Sequence, residues 1–110
     1  MIIYSRDAEA DRAFFRDVLR YPDVDAGNGW LIFALPPAEL AFHPTEEQPS
    51  HQLYFMCDDL RSTLEPILAY GVEVVTAPTE QRWGLTTTIR LPGGSELGLY
   101  EPRHPRATEL

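Results

Sequence analysis

"AELAFHP" at residues 38–44 and "SELGLYEP" at residues 95–102 are two versions of one phrase. Each begins with a small residue and Glu, alternates its apolar residues, and stops at a proline. A period of two is the pattern of a β-strand, whose successive side chains point to opposite faces. The match sets Leu40 against Leu97, Phe42 against Leu99, and Ala41 against Gly98.

The repetition extends upstream of both phrases. Ile3-Tyr4 before Asp7 matches Phe55-Met56 before Asp59, and Leu19-Arg20-Tyr21 matches Tyr70-Gly71-Val72. In the first half, residues 2–4 read as a strand and Asp7 as a helix cap. Ala10, Phe14 and Val18 recur at fourfold spacing, with Phe15 and Leu19 widening the stripe, so residues 8–21 read as an amphipathic helix stopped by Pro22. Turn chemistry at residues 25–29 precedes a strand at 30–35, and Pro36-Pro37 turns the chain into the strand 39–43. The polar residues 45–50 are the joint.

The second half repeats this order. A strand at 53–56 leads to Asp58-Asp59 as a cap and a helix over 60–70, with Leu60, Leu64, Ile67 and Leu68 on one side. Pro66 is expected to kink or shorten that helix. Gly71 ends it, a strand begins at 72–75, and strands 86–91 and 96–100 flank the turn Pro92-Gly93-Gly94. Each half thus reads strand, helix, strand, strand, strand. The fold class expected is α+β, with two βαβββ modules, residues 1–50 and 51–102, forming an incomplete barrel around a cleft. They make one domain, 1–102, followed by a loose tail, 103–110.

Splitting the strands by face gives two lists. Ile3, Leu40, Phe42, Leu53, Phe55, Leu97 and Leu99 are all apolar and are expected to lie under the helices. Tyr4, Glu39, Ala41, His43, Gln52, Tyr54, Met56, Glu96, Gly98 and Tyr100 mix rings, hydrogen-bonding groups and very small residues, as a ligand-holding surface requires. Trp30, Trp83 and Arg90 are candidates for its rim.

The totals are those of one globular domain: 110 residues, 44% hydrophobic and 24% charged. Apolar runs such as residues 30–35 are too short to cross a bilayer, and the first residues lack a signal-peptide pattern, so a soluble cytoplasmic protein is expected. Cys57 is the only cysteine and reads as a buried strand thiol. Nine Lys+Arg against seventeen Asp+Glu give a formal net charge of -8, which repels nucleic acid and anionic membranes and suits a cationic or neutral guest.

With its two modules in place, the chain resembles the vicinal oxygen chelate superfamily, which includes glyoxalases, extradiol dioxygenases, and fosfomycin- and bleomycin-resistance proteins. "DRAFFRDVLRY" at 11–21 looks like the family's helix ending in FYxxxLG. "QLYFMCDDL" at 52–60 looks like its HxxFxVDDL strand, and "LPGGSELGLYE" at 91–101 like DPDGNxIELYE.

Enzymes of that superfamily hold a divalent metal with side chains from four strands. Carried over by the resemblance, the first position falls one residue before Met1, the second at Ala41, the third at Gln52 and the fourth at Gly98. His51 neighbours Gln52 but is expected on the opposite face. A methyl group and a hydrogen cannot ligate a metal, so the standard site is expected to be absent. Recruiting Glu101 by a register shift would turn Leu97 and Leu99 out of the core, at about 2 kcal/mol for each leucine.

The resemblance therefore implies a metal-free binding protein of the bleomycin-resistance type, without cofactor. Its guest would be a small molecule, a cationic or aromatic antibiotic among them. Its expected ligand-binding residues are Tyr4, Trp30, His43, Gln52, Tyr54, Met56 and Tyr100, and the same type implies a homodimer. The alternative is a glyoxalase- or dioxygenase-type enzyme with non-standard metal ligands. An acid-base pair of His43 with Tyr54 or Glu96 is a weaker catalytic reading, and His104 reads as plain surface.

Overall fold

The computed structural model describes residues 1–36 and 38–107. Pro37 of the expected turn and residues 108–110 of the expected tail lie outside the described residues.

Helix α1 spans Ala8–Asp17, and the Asp7 carboxylate accepts the Ala10 N–H at its start. It stops short of the expected Tyr21. Arg20 adopts a left-handed backbone (φ 60°), while the Leu19 and Tyr21 amides turn back to the Phe14 and Phe15 carbonyls. This closing turn satisfies helix-end carbonyls before Pro22 is reached. β1 (Asp23–Asp25) and β2 (Leu31–Phe33) then form a two-stranded antiparallel hairpin. At its turn the Asp25 carboxylate accepts the N–H groups of Gly27 and Gly29.

The remaining elements are β3 (Tyr54–Met56), α2 (Leu60–Ala69), β4 (Val74–Gln81), β5 (Gly84–Arg90) and β6 (Glu96–Pro102). They supply a complete βαβββ unit whose four strands are ordered β3-β6-β5-β4. β3 runs parallel to β6, and the other neighbours are antiparallel. α2 continues through Pro66 for three more residues, and its N-cap Asp59 accepts from the Ser62 amide. β4 is longer than the sequence suggested. It tolerates Pro78 because it is an edge strand with register shifts between Val74 and Thr79.

Both helices lie on one face of the sheet. Phe14 and Phe15 from α1 and Leu60, Leu64 and Ile67 from α2 form one core with Leu85, Ile89, Leu91, Leu97 and Leu99. Leu97 and Leu99 are 1% and 2% exposed, and each contributes about 1.5–3 kcal/mol by burial. Phe15 sits among four rings, with centroids 5.7–6.2 Å from those of Phe14, Tyr21, Phe33 and Phe55.

The first half departs from its expected pattern. Residues 2–4 and 39–43 lie outside both sheets, so their alternation is not realised as strands. Ile3 still packs against the core. Leu40 and Phe42, expected under the helices, are 81% and 87% exposed, and Leu53 is also exposed. The cause is the lack of a ladder and of a helix above them: α1 packs with the second-half sheet.

A polar clasp joins the halves. The buried Asp11 carboxylate of α1 accepts the Gly93 N–H at 2.7 Å, and the Arg6 N–H donates to the Gly93 carbonyl at 3.0 Å. A Cβ at residue 93 would collide with Ser5 Oγ and Asp11 Oδ2, so glycine lets the clasp close. Contacts of Arg103 and Arg106 also tie residues 103–107 to the rest of the chain. The Arg103 N–H donates to the Trp83 carbonyl at 2.9 Å, Arg103 pairs with Glu80, and Arg106 pairs with Asp58 at 2.8 Å.

Candidate ligand-binding site

The face of the sheet opposite the helices carries the second list of strand residues. Register places Tyr54 beside Gly98 and Gly98 beside Thr88, then Met56 beside Tyr100 and Tyr100 beside Thr86. Alternation along β6 sends Leu97 and Leu99 into the core, so Glu96, Gly98 and Tyr100 share this outer face. Trp83 joins it from the turn between β4 and β5.

These side chains form a ring cluster. Tyr54, Trp83 and Tyr100 contact one another pairwise, with centroids 5.3–5.8 Å apart and interplanar angles of 75–82°. Edge-to-face contacts of this kind add about 0.5–1.5 kcal/mol each beyond burial. The His43 ring meets Trp83 at 5.7 Å, which brings residue 43 to the cluster although it belongs to no strand. His104 stacks on Tyr100 at 6.2 Å, and its Nε2 lies 3.4 Å from the Tyr100 hydroxyl. Tyr100 is consequently 8% exposed, and burial, with the Glu39 carboxylate second, pushes its phenol above the usual range.

Beside the rings lies a cavity of about 240 Å³ lined by His51, Gln52, Leu53, Tyr54, Thr88, Glu96 and Gly98. The Tyr54 ring sits over Gly98, where a Cβ would collide with Cδ1 and Cε1 of Tyr54. Thus Gly98 provides the space in which Tyr54 can lie. Of the cavity's lining residues Glu96 is paired with Arg90, which lies outside the lining and donates to Glu73 at 3.0 Å, to the Gly94 carbonyl at 3.1 Å and to Glu96 at 3.4 Å.

The structure brings together Gln52 and Tyr54 at the cavity, and His43, Tyr54 and Tyr100 in the ring cluster, with Met56 adjoining Tyr100 in register. Tyr4 and Trp30 are elsewhere. Tyr4 is 88% exposed, and the Trp30 ring lies 4.5 Å from the Arg12 guanidinium, on the α1 side of the β1–β2 turn. His51 lines the same cavity as Gln52, since no strand imposes alternation at residues 51–53. His104, read as plain surface, is a ring contact of the site. Thr88 was missed because a threonine inside "TTTIR" carries no motif.

Among the described residues no three His, Cys, Asp or Glu side chains converge as a ligand set. Gly98 is covered by Tyr54, and Glu101 points to the helix side, where its Oε1 accepts the Leu60 N–H at 3.0 Å. Cys57 is half-buried below the sheet end. Its thiol donates to the Tyr100 carbonyl at 3.5 Å, and burial raises it above the ordinary thiol range, which keeps it protonated and unreactive.

A four-stranded sheet of this order with both helices on one face matches solved structures of the glyoxalase/bleomycin resistance/dioxygenase fold, and the chain has that fold. It is similar to the crystal structure of TnmS3, an antibiotic binding protein from Streptomyces sp. CB03234, with a TM-score of 0.64 and 22% identity over 92% of this chain and 97% of that one. A glyoxalase/bleomycin resistance protein from the same organism superposes with a TM-score of 0.63 at 22% identity, covering 89% and 94%. Lactoylglutathione lyase from Agrobacterium tumefaciens does so with a TM-score of 0.58 at 20% identity, covering 89% and 87%. At these identities the likeness is one of fold. No protein-family model and no curated protein matches the sequence. Among the described residues, no helix is long and apolar enough to cross a membrane.

Proposed function

We propose that the chain is a member of the glyoxalase/bleomycin resistance/dioxygenase superfamily that binds a small molecule without a metal. The observation that carries this reading is Tyr54 over Gly98: an aromatic ring fills the place where the resemblance puts a metal-binding glutamate. Ala41 at the other glutamate position agrees with it. The guest is a cationic or aromatic compound, an antibiotic being the type suggested by the TnmS3 likeness. The formal charge of -8 and the rings of Tyr54, Trp83 and Tyr100 favour such a guest. We further read the protein as a cytoplasmic homodimer, with Leu40 and Phe42 supporting an interface by their exposure.

A thermal-shift screen against cationic antibiotics and aromatic metabolites tests the reading. A specific guest at about 100 times its dissociation constant adds about 2.7 kcal/mol of stability. The screen is paired with metal analysis of protein purified without chelator. Stoichiometric Fe, Mn, Zn or Ni that is lost in Gln52→Ala would overturn the metal-free reading in favour of a metal-dependent enzyme.

A further inference from the structure

The cavity beside Tyr54 has a chemistry narrower than "cationic or aromatic". Its polar lining is the Glu96 carboxylate, which only accepts, with Gln52, Thr88 and His51, whose amide, hydroxyl and ring can each supply an acceptor as well as a donor. Its ring surface is Tyr54, held by perpendicular contacts to Trp83 and Tyr100 and seated over Gly98. Its charge is negative. Glu96 and Glu73 share the single guanidinium of Arg90, and that group is committed first to Glu73 and the Gly94 carbonyl. Its hydrogen bond to Glu96 is the long one, 3.4 Å to Oε1.

Size adds a further limit. Pockets that enclose a whole drug-sized ligand measure roughly 300–1,000 Å³. A cavity of about 240 Å³ takes one ring-bearing group of a larger guest.

Resting on the binding-protein reading above, we propose that this cavity recognises a planar cation carrying paired N–H donors, an amidinium or guanidinium group attached to a small ring. Planarity lets the group lie along the Tyr54 ring, where its charge meets the π face. Two parallel N–H groups match a carboxylate, here Glu96, in the geometry that gives strong charge-assisted bonds. Gln52 and Thr88 accept the remaining donors. A quaternary ammonium has the charge but no donors and leaves those acceptors unpaired; a neutral amide has donors but no charge.

Benzamidine, benzamide and benzyltrimethylammonium, titrated calorimetrically into the full chain, separate these properties. Benzamidine is expected to bind at least about tenfold more tightly than either analogue, since a charge-assisted bond is worth roughly twice a neutral one. Glu96→Gln is expected to abolish that preference, reducing benzamidine to the level of benzamide. Tyr54→Ala should weaken both, benzamidine more than benzamide because it also loses the contact of its charge with the π face, and Tyr54→Phe, which keeps the ring and its seat over Gly98, should retain benzamidine binding if the protein is intact. Equal affinity for benzamidine and benzamide, or benzamidine binding indifferent to Glu96→Gln, overturns the inference. If the antibiotic screen finds a guest while benzamidine neither binds nor competes with it, this inference falls and the binding-protein reading stands. If neither finds a guest, both fall.

Discussion

Gly93 and Gly98 stand in one phrase, "PGGSELG", and are glycines for different reasons. Gly93 is closed in by Ser5 Oγ and by Asp11 Oδ2, a buried oxygen with no hydrogen-bond partner among the described residues. A methyl group there must push the Asp11 carboxylate away and break its bond to the Gly93 N–H. Gly93→Ala is expected to destabilise the protein by about 1–3 kcal/mol, the usual cost of overpacking, read as a lowered urea midpoint with an unchanged slope. Gly98→Ala meets a side chain that can rotate, so it should displace Tyr54 with a smaller effect on stability. The sequence reading treated Gly98 as the loss of a ligand, because a single residue type says nothing of what fills the space. The structure supplies the reason in Tyr54, a residue already placed on the same face by alternation.

At the scale of elements, second-half strands were legible because alternation, a PGG turn and a capped helix all agree there. Alternation alone misled in the first half. Residues 2–4 and 39–43 have the pattern of strands, yet lie outside both sheets, and a strand is stable only with hydrogen-bonded neighbours. β1 went unread because Asp23-Val24-Asp25 has little strand propensity, and β4 beyond Val75 because Ala77-Pro78 reads as a break. The start of α2 shows a contact the sequence could not announce. Asp59 caps it as expected, but Glu101, distant in the chain, also accepts the Leu60 N–H. Glu101→Ala is expected to cost about 1 kcal/mol, as loss of a helix-start acceptor does, while Glu101→Gln retains an acceptor and loses only the charge interaction with the helix end. Urea unfolding of the two variants checks this order; equal losses would remove Glu101 from the capping role.

The whole molecule distributes its apolar surface unevenly. Ile2, Tyr4, Trp30, Ile32, Leu40 and Phe42 are all exposed, whereas Leu97 and Leu99, the counterparts of Leu40 and Phe42 in the repeated phrase, are almost completely buried. Covering Leu40 and Phe42 to the same degree would contribute about 3–6 kcal/mol per chain toward the cost of association if a partner surface is shaped for it. Opposing that gain, each chain carries a formal charge of -8, so two chains repel one another. The two effects differ in their response to salt, because screening shortens the range of repulsion to about 8 Å at physiological ionic strength and leaves apolar burial intact. Size-exclusion chromatography with light scattering is therefore expected to give twice the chain mass, with the dimer persisting to lower protein concentration as salt is raised. Phe42→Asp should shift the population to the monomer while the far-ultraviolet circular dichroism is retained, since residue 42 belongs to neither sheet. A chain that remains monomeric at high concentration and high salt would show that this apolar surface is not closed by a second copy.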